Sequence, residues 1–253
     1  MNAPADHHPR WHPTQHGRVL TDALDRKLRE QIHYYRMRAP EYDAWAERSG
    51  RYDRGPLNDG WLAEKRRLVA ALDDFEPTGD VLEIAGGTGQ YTHLLQRYAS
   101  SLTVVDAAQE AIDHNRRRLG SEAAKVDYHV TDFFSWASPR QFDVIYFSYW
   151  LSHVPPTHFE AFWQLVAAHL KPGGRVFLID NIATPHAARL DPEIPGDDDV
   201  SVLRPAPDGT LYHVWKVLWR PEELEEALAS LGWSIDAYGT GTYFMWAEGK
   251  RAD

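Results

Sequence analysis

The chain has 253 residues, a formal net charge of −10 and no cysteine; disulfides and thiolate metal sites are excluded, and so acidic a balance argues against a protein that tracks nucleic acid. Its hydrophobic content of 43% and charged content of 25% are those of a soluble globular protein, and no apolar run reaches the roughly 20 residues of a membrane span. The length suits one large α/β domain or a core with appended elements.

Residues 1–17 are rich in His and Pro and lack the apolar stretch of a secretory signal, so a flexible tail and a cytoplasmic protein are expected. His7, His8, His12 and His16 are read as tail residues, and no metal site is expected. Residues 22–37 predict a helix with Leu24, Leu28, Ile32 and Tyr35 on one face, and Pro40 is expected to break it. Residues 61–72 predict a second amphipathic helix carrying Leu62, Leu68, Val69 and Leu72. Pro77-Thr78-Gly79-Asp80 is a turn. It divides N-terminal helices over residues 18–76 from a core over residues 77–253.

The core opens with a short apolar strand, Val81-Leu82-Glu83-Ile84, followed by Ala85-Gly86-Gly87-Thr88-Gly89. The glycines let the backbone turn sharply and approach a ligand. Leu94, Leu95 and Tyr98 then predict a helix over residues 92–98, whose N-terminus suits a carboxylate or phosphate. Glu83, at the tip of the strand, would repel a pyrophosphate and suit a cationic group, such as the ammonium or sulfonium of S-adenosylmethionine. The dinucleotide spacing G-x-G-x-x-G also fails, because Thr92 stands where the third glycine would fall. Asp106 ends the next strand, residues 102–106, where an acid accepts hydrogen bonds from ribose hydroxyls.

Alternation continues with a helix over residues 107–119, strands over 126–130 and 142–148, a helix over 159–170 and a strand over 175–180. This predicts a doubly wound α/β fold with a mostly parallel sheet. Lys65-Arg66-Arg67 and Arg116-Arg117-Arg118 sit in helical patterns beside acids and read as solvated faces, so a small-molecule partner is favoured over nucleic acid. Residues 191–209 hold four prolines and Asp197-Asp198-Asp199, the mark of an insertion or flexible cover. A sixth strand over 212–218, a helix over 221–231 and strands over 233–238 and 242–248 complete the core. Ten Trp and twelve Tyr, dense in 146–150 and 238–246, suggest an aromatic-lined pocket.

On these residues the chain resembles the class I S-adenosylmethionine-dependent methyltransferases. The E-x-G-x-G-x-G pattern stands as Glu83, Ala85, Gly87 and Gly89, with alanine in place of the first glycine. That alanine is expected to forbid a strongly positive φ and to leave less room beside the methionine part. The resemblance covers residues 81–180. It implies a Rossmann-like, seven-stranded sheet and S-adenosylmethionine as cofactor. The segment from Tyr34 to Asp43 is similar to the N-terminal lid of menaquinone-biosynthesis-like small-molecule methyltransferases. By that resemblance Glu83, Ala85, Gly86, Gly87, Gly89, Asp106 and Ala107 surround the cofactor. Asp132 reaches the adenine amino group, Phe133 packs on the ring and Tyr42 closes over the site. A turn cap by Asp132 is the alternative.

Methyl transfer is an in-line displacement, and in such a sheet it occurs at the carboxyl ends of the strands. The fourth strand ends in Ser148-Tyr149-Trp150-Leu151-Ser152-His153. His153 is the candidate general base, because an unperturbed imidazole titrates near physiological pH; a structural histidine is the alternative. Tyr149, Trp150 and Tyr35 are expected to wall the acceptor, and Asn181 follows the fifth strand. Arg204 or Lys216, if turned inward, would bind an acceptor carboxylate. The function implied is methyl transfer to a small molecule, at oxygen. A nicotinamide-dependent oxidoreductase and a non-catalytic cofactor-binding module remain alternatives, and the acceptor and the oligomeric state are open.

Overall fold

A computed structural model of the chain describes residues 19–184 and 200–252. The tail of residues 1–17, residues 191–199 of the insertion and the side chain of Leu24 lie outside the described residues. The chain opens with a long helix, α1 (Val19–Ala46), followed by α2 (Asn58–Phe75). Then come β1 (Gly79–Ile84), a short α3 (Thr92–Leu95), β2 (Ala99–Asp106), α4 (Gln109–Leu119), β3 (Val126–Val130) and β4 (Phe142–Ser148). Next are α5 (Phe159–His169), β5 (Leu170–Asn181), β6 (Ser201–Pro205), β7 (Leu211–Trp215), α6 (Pro221–Ala229), β8 (Trp233–Gly239) and β9 (Phe244–Arg251).

Seven strands form one sheet in the order β3-β2-β1-β4-β5-β9-β8. The first five are parallel and β9 and β8 are antiparallel additions. The order reverses between β1 and β4, which opens a crevice beyond their carboxyl ends. Helices cover both faces. Leu82 and Ile84 of β1 pack towards Phe162 and Trp163 of α5 and Leu224 and Leu228 of α6. Val81 packs oppositely, with Leu68 and Leu72 of α2, Leu95 of α3 and Ile112 of α4. Side chains alternate along a strand, so Glu83 lies on the side of Val81. No described helix is long and apolar enough to cross a membrane.

Two expectations about elements are overturned. Pro40 does not end α1, which runs through it to Ala46. An interior proline costs about 3 kcal/mol. Buried residues on both sides, Tyr34 and Ala39 before or beside it and Trp45 and Ala46 after it, hold the helix in place against that cost. The strand expected over 212–218 does not join the sheet. Leu211–Trp215 instead pairs antiparallel with Ser201–Pro205, inside the predicted insertion, with Arg204 opposite Tyr212. The place beside β5 is taken by β9, and Val214 of the hairpin packs on Tyr34 of α1.

Candidate cofactor and acceptor site

The turn after β1 begins with a residue in an unusual conformation. Ala85 has φ 53°, in the left-handed region, against the sequence expectation that alanine forbids it. Its N–H donates to Val105 O at 2.7 Å, which fixes the turn on β2. At Gly86 a Cβ would come within 2.5 Å of Val104 Cγ1, so the close approach of the turn to β2 requires glycine. Gly87 is left-handed too, with φ 54°. Its N–H donates to Asp106 Oδ2 at 2.9 Å, while the Ala108 N–H donates to Asp106 Oδ1 at 2.8 Å. One carboxylate thus ties the glycine turn to the start of α4. Burial raises the Asp106 pKa, and the two backbone donors oppose the rise.

A cavity lies over this turn. Its walls include Ala85, Gly86 and Gly87, then Asp106 and Ala107 at the end of β2, Asp132 and Phe133 beyond β3, and Tyr149, Trp150 and His153 beyond β4. From α1 come Gln31, Tyr35 and Tyr42. Asp132 also accepts from the Phe134 N–H at 3.2 Å, so it caps a turn and lines the cavity at once. Tyr149 holds φ 53°, a strained value for an aromatic residue, and its N–H donates to Ile179 O at 2.7 Å.

Glu83 and Gly89 are not among the residues that line this cavity. Glu83 lies beneath the turn, on the face of β1 covered by α2, α3 and α4. Thr92 Oγ1 donates to its Oε2 at 2.6 Å, and the chain continues from Asn115 Nδ2 to Thr92 Oγ1 and from Tyr128 OH to Asn115 Oδ1. Burial pushes the Glu83 pKa up to about 8. At neutral pH it is therefore mostly uncharged.

Several groups were not anticipated from the sequence. Asp43 of α1 accepts from Thr88 Oγ1 at 2.6 Å, Gln90 Nε2 at 3.0 Å and Arg118 Nη2 at 2.6 Å. Arg36 Nη2 donates to Ala107 O at 3.0 Å. These contacts latch α1 over the cavity. Asp43 stands next to Tyr42, in the segment read as a lid, and that adjacency was the available signal. Gln31 was findable by helical spacing, one turn before Tyr35 on the same face.

A second cavity adjoins the first and shares Tyr35, Tyr42, Tyr149 and His153 with it. Its other walls include Arg38 of α1, Asn181 at the end of β5, Arg204 of β6 and Lys216 just after β7. Lys216 Nζ donates to Ser152 Oγ and to Asn181 Oδ1, both at 2.9 Å, and lies 3.9 Å from Asp180 Oδ1. Of the sequence-derived acceptor residues, Tyr35, Tyr149, Asn181, Arg204 and Lys216 thus come together, joined by Arg38, Tyr34 and Trp45, whereas Trp150 lines only the first cavity. Charge divides between the cavities. Among the described residues the first is lined by two carboxylates and no lysine or arginine, and the second by three such cations and no carboxylate.

His153 sits at the junction and is buried. Its Nδ1 lies 2.6 Å from Trp215 O and its Nε2 lies 2.8 Å from Tyr35 OH. Burial holds its pKa well below the ordinary range, and the charges of Lys216, Arg204 and Arg38 push the same way, against the Trp215 hydrogen bond. No cluster of metal-ligating side chains occurs among the described residues.

Comparison with known proteins agrees with this geometry. Residues 81–174 match a family model described as a methyltransferase domain. The ubiquinone biosynthesis O-methyltransferase of Xanthomonas axonopodis pv. citri (strain 306) is 30% identical over 189 residues, 73% of this chain and 75% of that protein. A DhpI-SAM-HEP complex is 34% identical with a TM-score of 0.69, covering 88% of this chain and 96% of that one. A DhpI-SAH complex is 33% identical with a TM-score of 0.70, covering 89% and 97%. The glycine turn, the acids after β2 and β3 and the sheet order therefore have one common explanation: the chain belongs to the class I S-adenosylmethionine-dependent methyltransferases.

Proposed function

We propose that the protein methylates an acidic oxygen of a small molecule held in the second cavity. The observation that carries this reading is the division of charge between the two cavities. A cavity walled by Asp106 and Asp132, with no lysine or arginine among its described residues, suits a cationic cofactor and would reject a pyrophosphate. A cavity walled by Arg38, Arg204 and Lys216 suits an anion. Oxygen as the target is supported by the O-methyltransferase relative. A second ligand beside the cofactor is supported by the DhpI complex.

Bound S-adenosylmethionine supplies an electrophilic methyl group. In this reading Asp106 and Ala107 receive the ribose, Asp132 and Phe133 the adenine, and Ala85, Gly86 and Gly87 the methionine part. Gly89 and Glu83 shape the turn from outside the cavity. Tyr42 closes over the cofactor. Arg204, Lys216 and Asn181 hold the acceptor, with Tyr35 and Tyr149 as walls, and Trp150 lines the cofactor side. Residues 18–76 form the lid and residues 77–253 the methyltransferase core, and the protein works in the cytoplasm on a free small molecule.

His153 is assigned to holding Tyr35. A neutral imidazole whose Nε2 is already paired, among three cations, is a weak proton acceptor. An acceptor that arrives ionised needs none. The cations then balance the charge of the nucleophile, and the enclosed site fixes it in line with the methyl group.

The test is transfer of labelled methyl from S-adenosylmethionine to a panel of small organic acids and to their uncharged amides. Methylation of acids with the amides inert is expected. Equal methylation of the amides, or no calorimetric binding of S-adenosylhomocysteine, would overturn the reading.

A further inference from the structure

One buried side chain links the lid to the junction of the two cavities. Gln31 of α1 is 3% exposed. Its Oε1 accepts from the Trp215 N–H at 2.8 Å, and its Nε2 donates to the His153 carbonyl at 3.1 Å. The amide therefore bridges the backbone of β7 to the backbone of the loop after β4. Between those two points lies the contact of His153 Nδ1 with Trp215 O, at 2.6 Å.

The polarity of this chain is set at one end. A carbonyl oxygen only accepts, so Nδ1 of His153 carries the proton. In the neutral ring Nε2 then has a lone pair and no hydrogen. Tyr35, 2.8 Å away, must be the donor to it. Burial also raises the Tyr35 pKa well above its ordinary value, so the phenol keeps that proton. With its hydrogen committed to His153, the Tyr35 oxygen offers only lone pairs to the cavity.

We infer that Gln31 is a positioning residue: by clamping Trp215 to His153 it fixes the imidazole as the Nδ1–H tautomer, which makes Tyr35 a hydrogen-bond acceptor towards the methyl acceptor. The inference rests on the acceptor cavity assigned above and deepens it. The substrate carries a hydrogen-bond donor, a hydroxyl or an amine, beside its anionic group. Two further ties between these segments, from the Lys216 Nζ to Ser152 Oγ at 2.9 Å and from the Val217 N–H to Ser152 O at 2.7 Å, lie one and two residues beyond Trp215 and end on Ser152, which leaves the ring contact itself to Gln31.

The experiment is ring-nitrogen NMR on the full-length, isotopically labelled protein saturated with S-adenosylhomocysteine. The His153 signals are identified by their loss in His153→Gln. Wild type is expected to show a protonated Nδ1 and an unprotonated Nε2. Gln31→Leu is expected to lose that pattern. In the methylation assay it should raise the KM of the best acid about tenfold while kcat changes by less than about twofold, the scale of one lost hydrogen bond. Tyr35→Phe, which removes the hydroxyl but not the clamp, is expected to keep Nδ1 protonated.

A protonated Nε2 in wild type or in Tyr35→Phe overturns the inference, and so does Gln31→Leu with wild-type signals. If Gln31→Leu fails to fold, wild type and Tyr35→Phe still decide the tautomer. The NMR pattern needs no acceptor. Its failure is therefore separable from failure of the acid-methylation reading, which shows only in the transfer assay.

Discussion

Ala85 and Gly87, two of the three left-handed residues of the glycine turn, make a matched pair for testing whether the turn stores strain. Ala85 has φ 53° and Gly87 has φ 54°. The left-handed conformation costs an L-residue about 1–2 kcal/mol, which glycine escapes. Glycine in turn adds about 0.4–1 kcal/mol of chain entropy to the unfolded state. Ala85→Gly loses one half-buried methyl as well, so its expected net gain is about 0.5 kcal/mol. Gly87→Ala reverses the balance. A Cβ at Gly87 meets nothing nearer than Ala85 O at 3.9 Å, so no clash enters and the change weighs backbone strain against unfolded-chain entropy. Its expected loss is about 0.5–1 kcal/mol. For a chain of this size 1 kcal/mol moves the thermal midpoint by about 2–4 °C. Calorimetric scans of the two variants without cofactor should therefore shift in opposite directions, Ala85→Gly up by about 1 °C and Gly87→Ala down by about 2 °C. A lower midpoint for Ala85→Gly, or an unchanged one for Gly87→Ala, would refute the strain argument.

Glu83→Gln tests the buried acid beneath the turn. Burial raises the folded-state pKa to about 8, above the unfolded value, so the native state binds the proton more tightly. The stabilisation is fully present below about pH 4.5 and is lost as pH rises to about 8, on the order of 4–5 kcal/mol in all. Urea titrations at pH 5 and pH 8 should show that decline in wild type and a flatter profile in Glu83→Gln; parallel profiles would refute it. Asp106→Ala removes the acceptor of the Gly87 and Ala108 N–H groups, and calorimetry should show S-adenosylhomocysteine binding about tenfold weaker or more. Unchanged affinity would show that this carboxylate does not organise the cofactor site. Arg204→Leu should raise the acceptor KM about fivefold with kcat little altered, and added salt should narrow the gap from wild type. A KM equal to wild type would remove Arg204 from acceptor binding.

The cofactor half of the site was legible because its signals are local. The strand–turn–helix at Val81 to Gly89, the acid Asp106 ending β2 and the Asp132-Phe133 pair just after β3 are each readable within a few residues, and each reaches one cavity through strand order alone. Glu83 shows the limit of such reading. Its position at the tip of β1 is visible in sequence, but the face it occupies depends on strand alternation and on which helices cover that face. Ile84 lines the cavity and Glu83 does not. The acceptor half depends on contacts distant in sequence. His153 meets Trp215 and Tyr35 across 62 and 118 residues respectively. Nor did the local pattern of residues 212–218 distinguish a sheet strand from one arm of a hairpin lying on α1.

Helix α1 explains why both halves depend on a continuous turn through Pro40. Gln31 and Tyr35 face the junction of the two cavities, Tyr42 lines both of them, and Asp43 reaches the glycine turn. Four residues separate the first pair and seven separate Tyr35 from Tyr42. At 3.6 residues per turn these intervals return to nearly the same face. A break at Pro40 would free that register, turning Tyr42 away from the cavity and withdrawing Asp43 from Thr88 and Gln90. The proline removes one helical hydrogen bond, and the latch at Asp43 together with the buried Trp45 and Ala46 holds the far segment where an unbroken helix would put it. The same rod therefore touches the glycine turn at one end and sets the polarity of Tyr35 at the other. A displacement of α1 that opened one cavity would also disturb the other, which ties cofactor retention to acceptor recognition through a single element.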